Sequence, residues 1–95
     1  MLNIDQLSKA PDLRKKILAI EELSQIETVI NKEIELLKEE GVSDYDLSAF
    51  LDYVNSLLLT HLVAEGQDHS KTNVNVKRAR QIIKKLKAEL TQKSK

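Results

Sequence analysis

His61 and Glu65 stand four residues apart in a stretch of helix formers, a spacing that puts two potential metal ligands on one face of a helix. No third ligand accompanies them. The other histidine, His69, follows Asp68 in a polar segment, and the HExxH arrangement of zinc hydrolases is absent. His61 therefore reads as an ordinary helical residue at the edge of an apolar stripe, and His69 as surface. The acidic pairs Glu21-Glu22 and Glu39-Glu40 are of the right type for general acid–base work, but that chemistry needs a carboxyl in a desolvated cleft. On a charged helix they serve solubility. No GxSxG elbow presents a hydroxyl at a strained turn. With 2 Gly in 95 residues there is no phosphate-cradling loop, and with 0 Cys there is no thiol nucleophile, thiolate metal site or disulfide. The expectation is a non-enzyme with no catalytic residue, no metal and no cofactor.

The cations say more. The 15 Lys and Arg balance the 15 Asp and Glu, yet the signs are segregated along the chain. Residues 1–69 hold 6 basic and 14 acidic residues, a net −8; residues 70–95 hold 9 basic residues and Glu89 alone, a net +8. Local fields, not the sum, decide encounters. Lys77, Arg78, Arg80, Lys84, Lys85 and Lys87 form a candidate face for a polyanion or an acidic partner. The same face has a second possible role, neutralising the acidic body of its own or a sister chain.

Three elements must position these residues. Asn3 and Gln6 suit a capping box over a short N-terminal turn, 3–9, and Pro11 suits the first position of a helix, where its missing N–H costs nothing. A first helix is predicted over 11–40, ended by Gly41. Ser43 caps a second over 44–65, with Asp46 at its third position and Val42 and Leu47 as a hydrophobic staple. Gly66 ends it, and 67–73 is the longest loop. Thr72, Asn73 or Asn75 caps a third helix over 74–91, followed by a frayed tail, 92–95.

Wheel positions give each helix its buried face. Leu47, Phe50, Leu51, Val54, Leu58 and Leu62 form one stripe; Val76, Ala79, Ile83, Leu86 and Leu90 form another, with Ile82 at its border. The first helix is untidy. Leu13, Ile17, Ile20 and Leu23 share a face, while Ile26, Ile30, Ile34 and Leu37 share one rotated by roughly a quarter turn. Either that helix bends near Ser24-Gln25 or it meets more than one neighbour. A straight 11–40 helix would span roughly 45 Å at 1.5 Å per residue, against about 30 Å for each companion, leaving apolar residues that a second copy would cover. The predicted fold is all-α: a single-domain antiparallel bundle of three helices, or four if the first is broken, that dimerises.

No apolar run approaches the roughly 18 residues a membrane span requires, and residues 1–16 lack the layout of a signal peptide, so a cytoplasmic protein is expected. Its leading function is a protein-interaction module (adaptor, inhibitor, immunity or antitoxin-like factor) binding through helical surface. Leu18, Leu36, Tyr45, Tyr53, Leu59 and Val63 lie off the core stripes and are the candidate protein interface. The alternative is a nucleic-acid-associated protein whose third helix contacts phosphates. Against it, Tyr45, Phe50 and Tyr53 are not interleaved with the cations, as stacking on single strands would want. The 41–43 turn has the length of a helix-turn-helix, but the helix after it opens with Asp44 and Asp46, which repel DNA.

Overall fold

The computed structural model describes the backbone of residues 2–65 and 71–93 and the side chains of 2–60 and 73–90. Four helices follow one another, α1 (Ile4–Ala19), α2 (Ser24–Glu39), α3 (Asp44–Glu65) and α4 (Lys71–Lys93), with no strand among the described residues. α1 and α4 each pack on all three other helices, whereas α2 and α3 each pack chiefly on α1 and α4.

The first predicted helix needs two corrections. It starts earlier, at Ile4, because the Asn3–Gln6 capping box is fully formed: Gln6 N–H donates to Asn3 Oδ1 at 2.7 Å and Asn3 N–H to Gln6 Oε1 at 3.1 Å. What reads as a short turn over 3–9 is the first half of α1. Pro11 consequently lies inside the helix instead of opening it, and the Leu7 carbonyl forgoes its usual donor. The strong cap and the buried row Gln6, Ala10, Leu13 and Ile17 outweigh that loss.

The helix also stops sooner. Ile20 takes an extended conformation, φ −65° and ψ 135°, and α2 does not begin until Ser24. The break solves the problem of the rotated faces. A link over 20–23 lets Leu13 and Ile17 from α1 and Ile26, Ile30, Ile34 and Leu37 from α2 enter one core. The overhang of a straight 11–40 helix, from which a second copy was expected, does not arise.

A distant side chain stabilises the stop. Asn75, only 1% exposed, donates its Nδ2 to Ile17 O at 3.1 Å and to Ile20 O at 2.7 Å. Helix ends leave carbonyls without donors, and burial makes an unmet carbonyl costly. Asn75 therefore does not cap its own helix, and neither does Asn73. α4 starts at Lys71, ahead of both, and runs through Gln92 and Lys93, where a frayed tail was expected. Gly66, His69 and residues 94–95 lie outside the described residues.

The remaining boundaries follow local chemistry. Gly41, at φ +87°, closes α2: its N–H donates to Lys38 O at 3.0 Å and Val42 N–H to Leu37 O at 3.1 Å, the paired bonds of a Schellman turn. Ser43 Oγ accepts from Asp46 N–H at 3.2 Å at the start of α3. Leu47, Phe50, Leu51, Val54 and Leu58 are wholly buried, as are Val76 and Ala79; Ile82, Ile83 and Leu90 are nearly so, and Leu86 packs against the same core.

Substitutions at two positions test this account by urea denaturation. Asn75→Ala should lower the unfolding free energy by about 1–3 kcal/mol, the cost of leaving the partly buried Ile20 carbonyl without its donor and the Ile17 carbonyl with only the Ile20 N–H at 3.3 Å. Asn75→Asp, which keeps the shape and removes the donors, should lose at least as much. At Gly41 an added Cβ meets nothing within 4 Å, so Gly41→Ala should cost only the left-handed backbone penalty of about 1–2 kcal/mol. Gly41→Asn should cost less, since Asn tolerates that conformation.

Candidate functional site

α3 turns its stripe of Leu47, Phe50, Leu51, Val54 and Leu58 into the core, and its opposite side is open to solvent. Tyr45, Ala49, Asp52, Ser56 and Leu59 follow one another at four- and three-residue steps along that outer side, with Tyr53 and Thr60 beside them; all are exposed. Asp52 is the single charge among these seven. On α1, α2 and α4, half or more of the exposed positions carry a charge. Depletion of charge and the presence of Tyr are compositional marks of protein-binding surface. Tyr45 is 83% exposed, Leu59 43% and Tyr53 40%, so aromatic and aliphatic area is left in water.

The six-residue interface read from the sequence is not one surface. Tyr45, Tyr53 and Leu59 share the outer side of α3, but Leu18 is half-buried against the core. Leu36 is exposed on α2, the helix that touches α3 least. The side chain of Val63 lies outside the described residues, as do those of His61 and His69. Phe50 is core. Among the described residues no group of three His, Cys, Asp or Glu is placed to hold a metal ion, and no helix is long and apolar enough to cross a membrane.

The basic face divides in two. On its flanks, cations tie α4 to its neighbours: Arg80 Nε donates to Asn55 Oδ1 at 3.0 Å, Lys87 pairs with Asp52, and Arg78 lies 3.9 Å from Glu27. Lys77, Lys84 and Lys85 face outward and make no ion pair with a described residue. Among the described residues, internal neutralisation thus reaches two of the six cations, Arg78 and Lys87, while Arg80 is anchored by a neutral amide. Exposed pairs of this kind contribute at most about 1 kcal/mol each, so they orient α4 more than they hold it.

Where α3 and α4 meet, these residues enclose a groove of about 210 Å³. Asp52 and Asn55 form its α3 wall, Arg80, Lys84 and Lys87 its α4 wall, and Ile83 its apolar component. Asp52 and Asn55 escape a sequence reading because their role depends on pairing across helices. The neutral outer side of α3 is visible on a helical wheel, where Tyr45, Ala49, Ser56 and Leu59 share a side with Asp52 as its one charge.

A second polar cluster lies between the start of α1 and the end of α2. Glu40 accepts from Lys9 Nζ and, at 3.3 Å, from Gln6 Nε2. The Lys9 hydrogen bond first, and the Gln6 bond second, hold the Glu40 carboxyl below the ordinary 4.5. The same bond to Glu40 holds Lys9 above the ordinary 10.5. The cluster joins two helix ends and is structural in character.

No family model matches the chain, and neither curated proteins nor solved structures show a match to it.

The Lys9–Glu40 pair carries a pH signature. A depressed carboxylate contributes stability above about pH 4.5 and loses it as pH falls through its lower folded value. A raised ammonium contributes below about pH 10.5 and loses its share as pH rises past its higher folded value. Glu40→Gln should therefore melt below the parent chain at neutral pH, with the gap closing on acidification through the carboxylate range; a constant gap from neutral to acid pH would contradict the pairing.

Proposed function

We propose that this chain is a small, non-catalytic, cytoplasmic protein-interaction module (an adaptor, inhibitor, immunity or antitoxin-like factor) that binds its partner through the outer side of α3. The observation that carries this reading is the contrast between that side and every other helix exterior: Tyr45, Ala49, Tyr53, Ser56, Leu59 and Thr60 are uncharged in a protein with 32% charged residues. Water-exposed Tyr and Leu in such a setting offer burial to a partner, and burial near the centre of an interface dominates binding energy. The absence of Cys fits a reducing compartment.

Phosphate binding by α4 is the second reading, and Lys77, Lys84 and Lys85 favour it by facing outward. Asp52 counts against it, because a carboxylate in the groove opposes the phosphates that the neighbouring cations would attract. A homodimer is a third use of the α3 face, joining two neutral stripes about a twofold axis.

Affinity capture from native lysate, with and without nuclease, tests the leading reading when the parent chain is compared with Tyr53→Glu/Leu59→Glu. Both residues are solvent-exposed in part, so the variant should keep its melting temperature. The expected result is one stoichiometric protein recovered with nuclease present and reduced at least about tenfold by the variant. Recovery that nuclease abolishes would transfer the function to nucleic acid. Light scattering across micromolar concentrations settles the homodimer separately: a constant monomer mass removes it.

A further inference from the structure

The geometry points to the α3–α4 groove as a carboxylate-binding cleft, one that recognises an Asp or Glu on an amphipathic helical segment of the protein partner. The inference rests on the docking role of α3 proposed above and names the chemistry of what docks. Arg80 is the centre of it. Asn55 accepts from its Nε, which fixes the plane of the guanidinium and leaves the terminal nitrogens without a partner among the described residues. A guanidinium held in that way presents parallel donors to a carboxylate, the strong two-bond arrangement, with little left to order on binding. Lys84 lines the same groove, is exposed and makes no ion pair with a described residue, so it supplies a second positive charge.

With Asp52 paired to Lys87, Arg80 and Lys84 keep the groove cationic, which suits a carboxylate held by the Arg80 fork. A line of nucleic-acid phosphates, by contrast, would have to pass the Asp52 carboxylate on the opposite wall. The apolar requirement comes from the neighbouring turn. Leu59 lies one helical turn, about 5.4 Å, beyond Asn55, so an incoming helix would reach both with an acidic residue and a large aliphatic one three or four positions apart. Charge complementarity favours this occupant over a second copy docked α3 to α3: among the described residues the outer side of α3 carries Asp52 as its only acid, and that acid is already engaged by Lys87.

The test is a displayed library of helix-forming peptides with a fixed Leu anchor, in which the position one turn away is randomised among Glu, Gln and Lys. It is selected on the immobilised full-length chain. The expected result is enrichment of Glu over Gln by about tenfold or more, as a charge-assisted pair requires. Lys84→Glu breaks no ion pair or hydrogen bond with a described residue, so it should fold normally and shift the selection toward Lys. Arg80→Lys keeps the charge and loses the fork, and should reduce the Glu preference. Binders that show no charge preference but are lost with Tyr53→Glu/Leu59→Glu would overturn the carboxylate cleft and leave the docking role standing. Failure to enrich any peptide would overturn both. Retention of a labelled DNA duplex that competes with the selected peptides would overturn the cleft in favour of phosphate binding.

Discussion

Two backbone carbonyls, those of Ile17 and Ile20, lie where a helix has stopped and apolar packing limits their access to water. An acceptor in such a place must find a donor: the amide of Asn75 serves both, and Ile17 accepts the Ile20 N–H as well. Much else depends on that requirement. It gives α1 an end, and the end gives the next segment freedom to rotate. The rotation brings Ile26, Ile30, Ile34 and Leu37 to the same interior as Leu13 and Ile17. Because the donor belongs to α4, the contact also sets the height at which α4 crosses α1, and hence which cations come to rest opposite Asp52 and Asn55.

The segregation of charge along the sequence becomes a division of labour in space. A basic helix seated between an acidic α2 and a neutral-faced α3 spends its flanking cations on neighbours and exposes the rest. Arg80 shows how this would serve binding, since the amide that steadies it satisfies one nitrogen and leaves the others without a partner among the described residues. A helix neutralised completely by its own protein would have nothing to offer; one left wholly unpaired would attract any polyanion. The mixture, with an acid retained beside the cations, is what makes selectivity physically possible.

Legibility in the sequence followed the range of the forces. Asn3 with Gln6, Gly41, and Ser43 with Asp46 act within four residues of themselves, and their roles as caps and terminator were readable. The stripes of α3 and α4 were readable because a helix repeats. The rotated apolar faces of the first helix pointed to a bend near Ser24-Gln25 as one alternative, but the break at 20–23 was not placed, since that link holds neither Gly nor Pro and the amide that caps it lies at position 75. Pro11 misled for the opposite reason: its local preference is strong, but the capping box upstream and the buried row through Ala10 are stronger. The groove was invisible because the pairing of Asn55 with Arg80 is a property of two packed surfaces, and neither surface announces it alone.

The 58 residues separating Asn75 from Ile17 have a consequence for how the molecule comes into being. A chain emerging from the ribosome exposes its N-terminal portion first, and local helix formation is fast compared with synthesis. Yet the carbonyls at the end of α1 receive the Asn75 amide only once α4 has been made and has docked. Because α4 packs on each of the other three helices, closing the interior is a late, long-range step that fast local helix formation cannot complete by itself.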